Sequence, residues 1–174
     1  MKPKKCKSCG NSFQPYRPLQ SVCSAACAVK LASDKSWKER KDKLKESLIS
    51  IGDLKKLARG VFQKWVRLRD KDLPCISCGT FTSEIWDAGH YFKAELFSGL
   101  IFDERNCHKQ CRKCNTFLNG NEIQYRIGLV NRFGERWVKK LEKDSEKLRV
   151  KKYTKSELED IQKKYSKKLF ELKK

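Results

Sequence analysis

The sequence predicts an α+β protein in which two small cysteine-stapled modules are surrounded by basic, mostly α-helical segments. Three observations lead to this prediction: nine cysteines, most of them in closely spaced pairs, apolar residues recurring at helical intervals, and a formal net charge of +20. With 36% charged side chains in 174 residues, one large apolar core is not expected. Modules this small usually need a metal or a disulfide to fold.

The paired cysteines have the spacing of zinc ligands, because each pair encloses two or three residues. The sequence has neither an apolar signal segment after Met1 nor an 18-residue apolar run. We therefore expect a reducing cytoplasm, where such pairs favour zinc over disulfides. Four thiolates fill a tetrahedral zinc, so we predict one or two structural zinc ions that are closed to substrate. The ligands are Cys6, Cys9, Cys23 and Cys27 in the first module and Cys75, Cys78, Cys111 and Cys114 in the second.

The second module leaves two alternatives open. Cys107 and His108 lie just before the last ligand pair, and either could replace a neighbouring ligand such as Cys111. The chain has two histidines, so His108 is also the rival of His90 for any acid–base role.

Apolar periodicity and capping residues divide the chain into four segments. These are an N-terminal zinc knuckle (1–29), a basic helical spacer (30–70), the second cysteine module (71–134) and a basic helical tail (135–174). Helices are predicted over 25–47, 53–69 and 122–133, the second with Asp53 as its N-cap and Gly52 as the break before it, and the third closed by Gly134.

The tail is predicted as two helices, the second opened by a capping box of Thr154 and Glu157. Its narrow apolar stripe could dock on the domain or pair with a second copy. Within the second module we expect a β-hairpin with one arm over 80–86 and another beginning at 90–92, followed by a short helical or knuckled segment over 106–120.

The positive charge points to a polyanionic partner. Residues 70–133 carry eight basic and eight acidic side chains, so the flanking segments hold all of the excess. Phosphate contacts release counter-ions and make binding steeply salt-dependent, which favours nucleic acid as the partner over a merely soluble lysine-rich surface. One face of the helix over 53–69 is basic and is either a phosphate contact or a solvated surface. Its residues are Lys55, Lys56, Arg59, Lys64, Arg67 and Arg69.

Three polar residues of the second module can supply hydrolytic chemistry. Asp87 and Asn115 offer oxygen ligands to Mg²⁺ or Mn²⁺, and His90 can act as general base on a water because its pKa lies near the working pH. His90 could instead be a zinc ligand or a buried histidine, and Asp87 a turn residue. Three basic residues among the last ligands are expected to contact phosphate: Lys109, Arg112 and Lys113.

These motifs resemble the HNH, or ββα-metal, endonucleases, and the Asp-x-x-His step with an asparagine directly after the last cysteine is similar to the endonuclease VII type. Over nearly the whole chain, the order of cysteine module, helical spacer, second module and basic tail resembles the NinG (Rap) family of lambdoid phage recombination proteins. The resemblance implies an α+β fold with a small zinc-stabilised ββα-metal (HNH-like) nuclease core.

The resemblance also implies roles for the polar residues. His90 is the expected general base, Asp87 and Asn115 are the expected ligands of a catalytic Mg²⁺ or Mn²⁺, and Asn106 is expected to hold the loop in shape. Asn115 departs from the more common histidine at that position. The implied substrates are branched DNAs such as Holliday junctions and D-loops, in the cytoplasm of a phage-infected bacterium, with phage or host recombination proteins as further partners.

Three function classes therefore compete. The first is a structure-selective DNA endonuclease, which a homodimer would suit because paired nicks across a junction need two-fold symmetry. The second is a non-catalytic zinc-finger module that binds DNA or a recombination partner, and the third is an RNA-binding zinc protein, although no RNA-recognition signature is present. The set of Asp87, His90 and Asn115 favours the endonuclease, because a pure binder does not need it.

Overall fold

The computed structural model describes residues 1–173, apart from the side chains of residues 43 and 45–47. The chain forms two units, Met1–Ile49 and Ser50–Lys174. The basic helical spacer (30–70) contains the two predicted helices, and the division between the units falls between them. No helix in the described part of the chain is long and apolar enough to cross a membrane.

The first unit combines a short hairpin with one long helix. Strand β1 (Lys4–Lys5) pairs antiparallel with β2 (Ser12–Phe13), and Gly10 turns the chain between them with a φ of +79°. Helix α1 (Ala25–Leu48) follows almost as predicted. None of its described side chains is buried, which agrees with a solvated helix.

The second unit opens with helix α2 (Ile51–Arg69), whose N-cap is Ser50 and not Asp53. The Ser50 hydroxyl accepts a hydrogen bond from the Asp53 backbone N–H at 3.1 Å and donates to the Asp53 carboxylate at 2.7 Å. Asp53 thus lies in the first turn, where a carboxylate complements the helix dipole. The expected break at Gly52 is wrong for the same reason, because Gly52 is already helical.

The hairpin of the second unit is shifted along the chain from its predicted position. Strand β3 (Trp86–His90) pairs antiparallel with β4 (Cys107–Cys111), so that Trp86 faces Cys111 and His90 faces Cys107. Residues 80–86 do not form the first arm, because side chains such as those of Thr80 and Ser83 bond to nearby backbone carbonyls instead. The segment predicted as helical or knuckled contains the second arm.

The remaining elements in the described part of the chain are a short 3-10 turn (Ser98–Leu100), a single π-helical turn and three helices. The π turn (Lys113–Phe117) carries Cys114, and α3 (Glu122–Phe133) is closed as predicted by Gly134 with a φ of +88°. Helix α4 (Glu135–Lys147) follows directly. Helix α5 (Lys155–Glu171) begins with the predicted capping box of Thr154 and Glu157.

Two apolar clusters cover opposite faces of the β3–β4 hairpin, because successive strand side chains alternate between faces. On one face Ala88 and Cys107 pack with α2 and α5, and on the other Tyr125 of α3 donates a hydrogen bond to the Gly89 carbonyl at 2.9 Å. The α5 stripe therefore docks on the domain through Tyr165. The first cluster contains Phe62, Trp65, Val66, Ala88, Cys107 and Tyr165. The second contains Ile76, Tyr125, Leu129, Val138 and Leu141.

Candidate active site and metal centres

The eight paired cysteines form the two predicted clusters. In each cluster the four sulfurs lie within 4.8 Å of one another. Cys78 Sγ is 3.7 Å from Cys111 Sγ, and Cys9 Sγ is 3.7 Å from Cys23 Sγ. Sulfurs on a tetrahedral zinc with Zn–S bonds of about 2.3 Å lie about 3.8 Å apart, whereas a disulfide holds them at about 2 Å. Both clusters are therefore compatible with structural zinc.

Cys107 and His108 lie outside both clusters, so neither replaces a ligand there. Cys107 is fully buried beside α2 and α5, and burial raises the pKa of its thiol. His108 is also buried: its Nε2 lies 3.1 Å from the Arg105 carbonyl and its Nδ1 lies 3.1 Å from Arg69 Nη2. Because a carbonyl only accepts and a guanidinium only donates, both ring nitrogens are occupied, and His108 is unavailable as a general base.

Arg69 belongs to this buried network and not to an open phosphate-binding face. Its guanidinium forms a forked pair with Asp70 at 2.6 and 2.8 Å and also donates to the Cys107 carbonyl. Burial alone would raise the pKa of Asp70, but the hydrogen bonds and charge of Arg69 hold that pKa well below its usual range. The network joins the end of α2 to β4.

His90 ends strand β3 with one ring nitrogen engaged. Its Nε2 lies 3.0 Å from the carbonyl oxygen of Ile101, which can only accept, so Nε2 carries the proton and Nδ1 is left as an acceptor. Burial lowers the pKa of His90 below 6.5, and the charge of Arg59 lowers it further. At neutral pH the ring is therefore neutral, with a lone pair on Nδ1.

Asp87 and Asn115 are brought together as predicted, but a third residue joins them. The Asn115 amide Nδ2 donates to Asp87 Oδ2 at 3.1 Å. Arg112 Nη2 donates to Asp87 Oδ1 at 2.9 Å, and Arg112 Nε lies 2.8 Å from Oδ2. Arg112 therefore neutralises the Asp87 carboxylate instead of standing free for phosphate.

Asn106 ties together the two ends of the loop that connects β3 with β4. Its side chain is fully buried, its Oδ1 accepts from the Phe92 N–H at 2.7 Å, and its Nδ2 donates to the carbonyls of Phe92 and Leu100. These three bonds hold the loop that carries Ile101, the partner of His90.

His90 and Asn115 line a polar cleft of about 250 Å³. Sequence analysis missed several of its other residues. Arg59 was visible only as one of six basic residues on α2, and nothing distinguished Lys93 or Glu95 from other surface charges. The cleft is lined by Arg59, Gln63, Ala88, His90, Lys93, Ala94, Glu95, Asn115, Asn119 and Gly120.

Lys109 is not a phosphate contact in this structure, because it is buried. Its Nζ donates to the Lys71 carbonyl at 2.8 Å and lies 4.2 Å from the centre of the Trp86 ring. Its position on the inward face of β4 decides this placement. Lys113 is exposed on the π turn and stays a candidate phosphate contact.

Comparison with known proteins identifies the family. A family profile described as Bacteriophage Lambda NinG protein matches residues 31–174. Protein ninG of Escherichia phage 933W is 37% identical over 190 residues, and that of Escherichia phage lambda is 36% identical over 192 residues. Each comparison covers 97% of this chain and 93% of the relative. No solved structure matches the chain significantly. The profile match and these full-length relatives show that the chain belongs to the NinG family.

Proposed function

We propose that this protein is a metal-dependent, structure-selective DNA endonuclease that cuts branched recombination intermediates, such as Holliday junctions and D-loops, during phage recombination. The observation that carries the proposal is the state of His90. A neutral imidazole, whose Nε2 is held by a backbone carbonyl and whose Nδ1 has no hydrogen-bond partner among the described residues, lines a polar cleft together with Arg59 and Lys93. This state suits a general base, which needs a neutral ring and an available lone pair.

The chemistry assigned to His90 is the deprotonation of a water. In phosphodiester hydrolysis the water oxygen attacks phosphorus, the bond from phosphorus to the 3′ oxygen breaks, and the departing oxygen takes a proton from solvent. Nδ1 accepts the proton of the attacking water while the Ile101 carbonyl fixes the ring and stabilises the proton on Nε2. Asn106 supports this step indirectly, because it fixes the loop that presents Ile101.

The donor set of Asp87 and Asn115 fits a hard divalent cation. A carboxylate and an amide lie within hydrogen-bond distance of each other, and Mg²⁺ or Mn²⁺ accepts such oxygen ligands while retaining waters. Asp87 and Asn115 would hold the ion after Arg112 moves aside, and the bound ion would supply Lewis-acid stabilisation of charge on the phosphate and the leaving oxygen.

Charge supports DNA as the substrate class. The formal net charge is +20, while residues 70–133, which supply most of the cleft, are neutral overall. Two zinc ions with four thiolates each would lower the total to about +16. The excess positive charge of the flanking segments offers phosphate contacts beyond the cut site, which favours extended or branched DNA over a short ligand.

A second candidate is a non-catalytic zinc module that binds DNA or recombination proteins, such as those of the phage or its host. One observation favours it: both oxygens of Asp87 already have partners, Arg112 and Asn115. A carboxylate that never releases Arg112 would be a structural residue.

Cleavage of a labelled four-way junction distinguishes the two candidates. Wild-type protein and the His90→Ala variant are incubated with the junction or a matched linear duplex, in Mg²⁺, Mn²⁺ or EDTA, and junction binding is measured in parallel. We expect divalent-dependent nicks on the junction that are lost in His90→Ala while binding is retained. Junction binding without nicks in either metal would reject the endonuclease and favour the binding module.

A further inference from the structure

Arg59 reaches the His90 cleft from outside the cysteine module. It lies in the middle of α2, which packs over the β3–β4 hairpin through Phe62, Trp65 and Val66. Its side chain lines the same cleft as His90 and Lys93. The packing of α2 thus adds a guanidinium to a cleft whose other polar residues come mainly from the hairpin, its connecting loop and the π turn.

The hydrogen-bonding capacity of this guanidinium is not filled. Arg59 Nε is shielded from solvent and has no hydrogen-bond partner among the described residues. The nearest carboxylate is that of Glu95, whose oxygen lies 3.8 Å from Arg59 Nη2 and whose side chain is 72% exposed. At that distance the pair is a loose surface contact, and it leaves the shielded Nε donor unsatisfied.

The charges around the cleft favour an anion there. Two cations, Arg59 and Lys93, and one carboxylate, that of Glu95, line it, and the ion pair that Lys93 forms among the described residues is with Glu122 at 3.4 Å. His90 adds no charge, because burial and the charge of Arg59 lower its pKa. A guanidinium presents paired donors that match the oxygens of a phosphate, whereas Lys93 can add a point charge.

We infer that Arg59 and Lys93 form a phosphate-binding subsite that faces His90 and that takes a phosphodiester of nucleic acid. The assignment rests on the proposed function in one respect: the phosphate bound there is the one that is cut. In that case Arg59 is a catalytic residue supplied by α2, and it stabilises the extra negative charge that develops on the phosphate as water attacks.

The two histidines of the chain allow a test that does not depend on cleavage. The imidazole ¹³C–¹H signals of His90 and His108 are assigned with the His90→Gln variant, and inorganic phosphate is then added to the wild-type protein. We expect a saturable shift of the His90 signal with His108 unmoved, because His108 lies in the separate network with Arg69. A phosphate titration that leaves His90 unmoved would overturn the subsite.

Arg59→Gln and Lys64→Gln form the matched pair, because both remove one positive charge from α2 and Lys64 is exposed. Arg59→Gln should abolish the phosphate-induced shift of His90, and Lys64→Gln should retain it. Arg59→Lys keeps the charge without the forked donors and should bind phosphate with intermediate affinity. Equal shifts in Arg59→Gln and the wild type would show that the guanidinium does not bind the anion.

Junction assays then separate this inference from the proposed function. If the wild type nicks junctions, Arg59→Gln should slow nicking at saturating DNA by about 100-fold, with junction affinity changed little, because one phosphate contact among many is lost. If the wild type does not nick but phosphate moves His90 through Arg59, the endonuclease fails and the anion subsite stands. Nicking by Arg59→Gln at the wild-type rate would overturn the catalytic role.

Discussion

Arg112 forms an ion pair with Asp87: its Nη2 donates a hydrogen bond to Oδ1 at 2.9 Å, and its Nε lies 2.8 Å from Oδ2 without hydrogen-bond geometry. The Asn115 amide Nδ2 also donates a hydrogen bond to Asp87, at Oδ2. If Asp87 holds the proposed cation, that ion must compete with Arg112, and the ion pair would weaken metal binding in the absence of DNA. A substrate phosphate offers Arg112 an alternative partner of the same charge.

Removing this competition should raise the affinity for the catalytic metal. We expect Arg112→Ala to bind Mn²⁺ about tenfold more tightly than the wild type without DNA, since a paired guanidinium no longer has to leave. Electron paramagnetic resonance of free Mn²⁺ measures this affinity. Asp87→Asn is the control. It should bind Mn²⁺ weakly, both alone and combined with Arg112→Ala. Unchanged or weaker Mn²⁺ binding by Arg112→Ala would contradict the competition.

The cysteine clusters predict a zinc content that depends on position. Wild-type protein should contain two zinc ions. Cys75→Ala should lose the ion of the second cluster and Cys6→Ala the ion of the first, so each variant should retain one. Cys107→Ala is the matched control, because Cys107 is equally buried but lies outside both clusters, and it should retain two. Metal analysis after removal of loosely bound ions gives the number. Loss of zinc from Cys107→Ala would require a different ligand set.

Two glycines within helices should respond in opposite ways to alanine. A Cβ at Gly128 in α3 would lie 1.7 Å from the Ile76 carbonyl oxygen, which is backbone of the zinc knuckle, whereas a Cβ at Gly60 in α2 meets nothing within 4 Å. Gly128→Ala should destabilise the protein by about 2–3 kcal/mol through overpacking. Gly60→Ala should be neutral or stabilise it by about 0.5–1 kcal/mol. Urea unfolding measures both, and equal stabilities would contradict the close packing of α3 on the knuckle.

The pH dependence of nicking should follow His90. Burial holds the pKa of this histidine below 6.5, and the base acts only when neutral. The rate should therefore be flat above about pH 7 and fall about tenfold per pH unit below the lowered pKa. Rates on a junction at fixed Mg²⁺ give the profile, and the His90 signal gives the pKa independently. A rate that rises tenfold per unit from pH 7 to 9 would assign the proton transfer to another group.

The local elements were predictable where short-range chemistry decides them. The spacing of the paired cysteines predicted both clusters, the Thr154–Glu157 pair predicted the start of α5, and Gly134 predicted the end of α3. The two helix ends depend on residues close together in the chain, and so does each cysteine pair, although each cluster joins two pairs that are far apart. The position of the hairpin was predicted wrongly. Its strands are determined by pairing across a 16-residue loop and not by the β-propensity of residues 80–86.

The sequence by itself determined the cysteine staples, most helix bounds, the positive charge and the identity of His90, Asp87 and Asn115 as chemically capable residues, because spacing and side-chain type carry that information. Tertiary structure alone decided which groups meet. It buried His108 and Lys109, paired Arg112 with Asp87, fixed Nε2 of His90 on the Ile101 carbonyl and brought Arg59 from α2 into the cleft. Burial and hydrogen-bond partners depend on contacts between residues far apart in the chain, and such contacts set the state of each group.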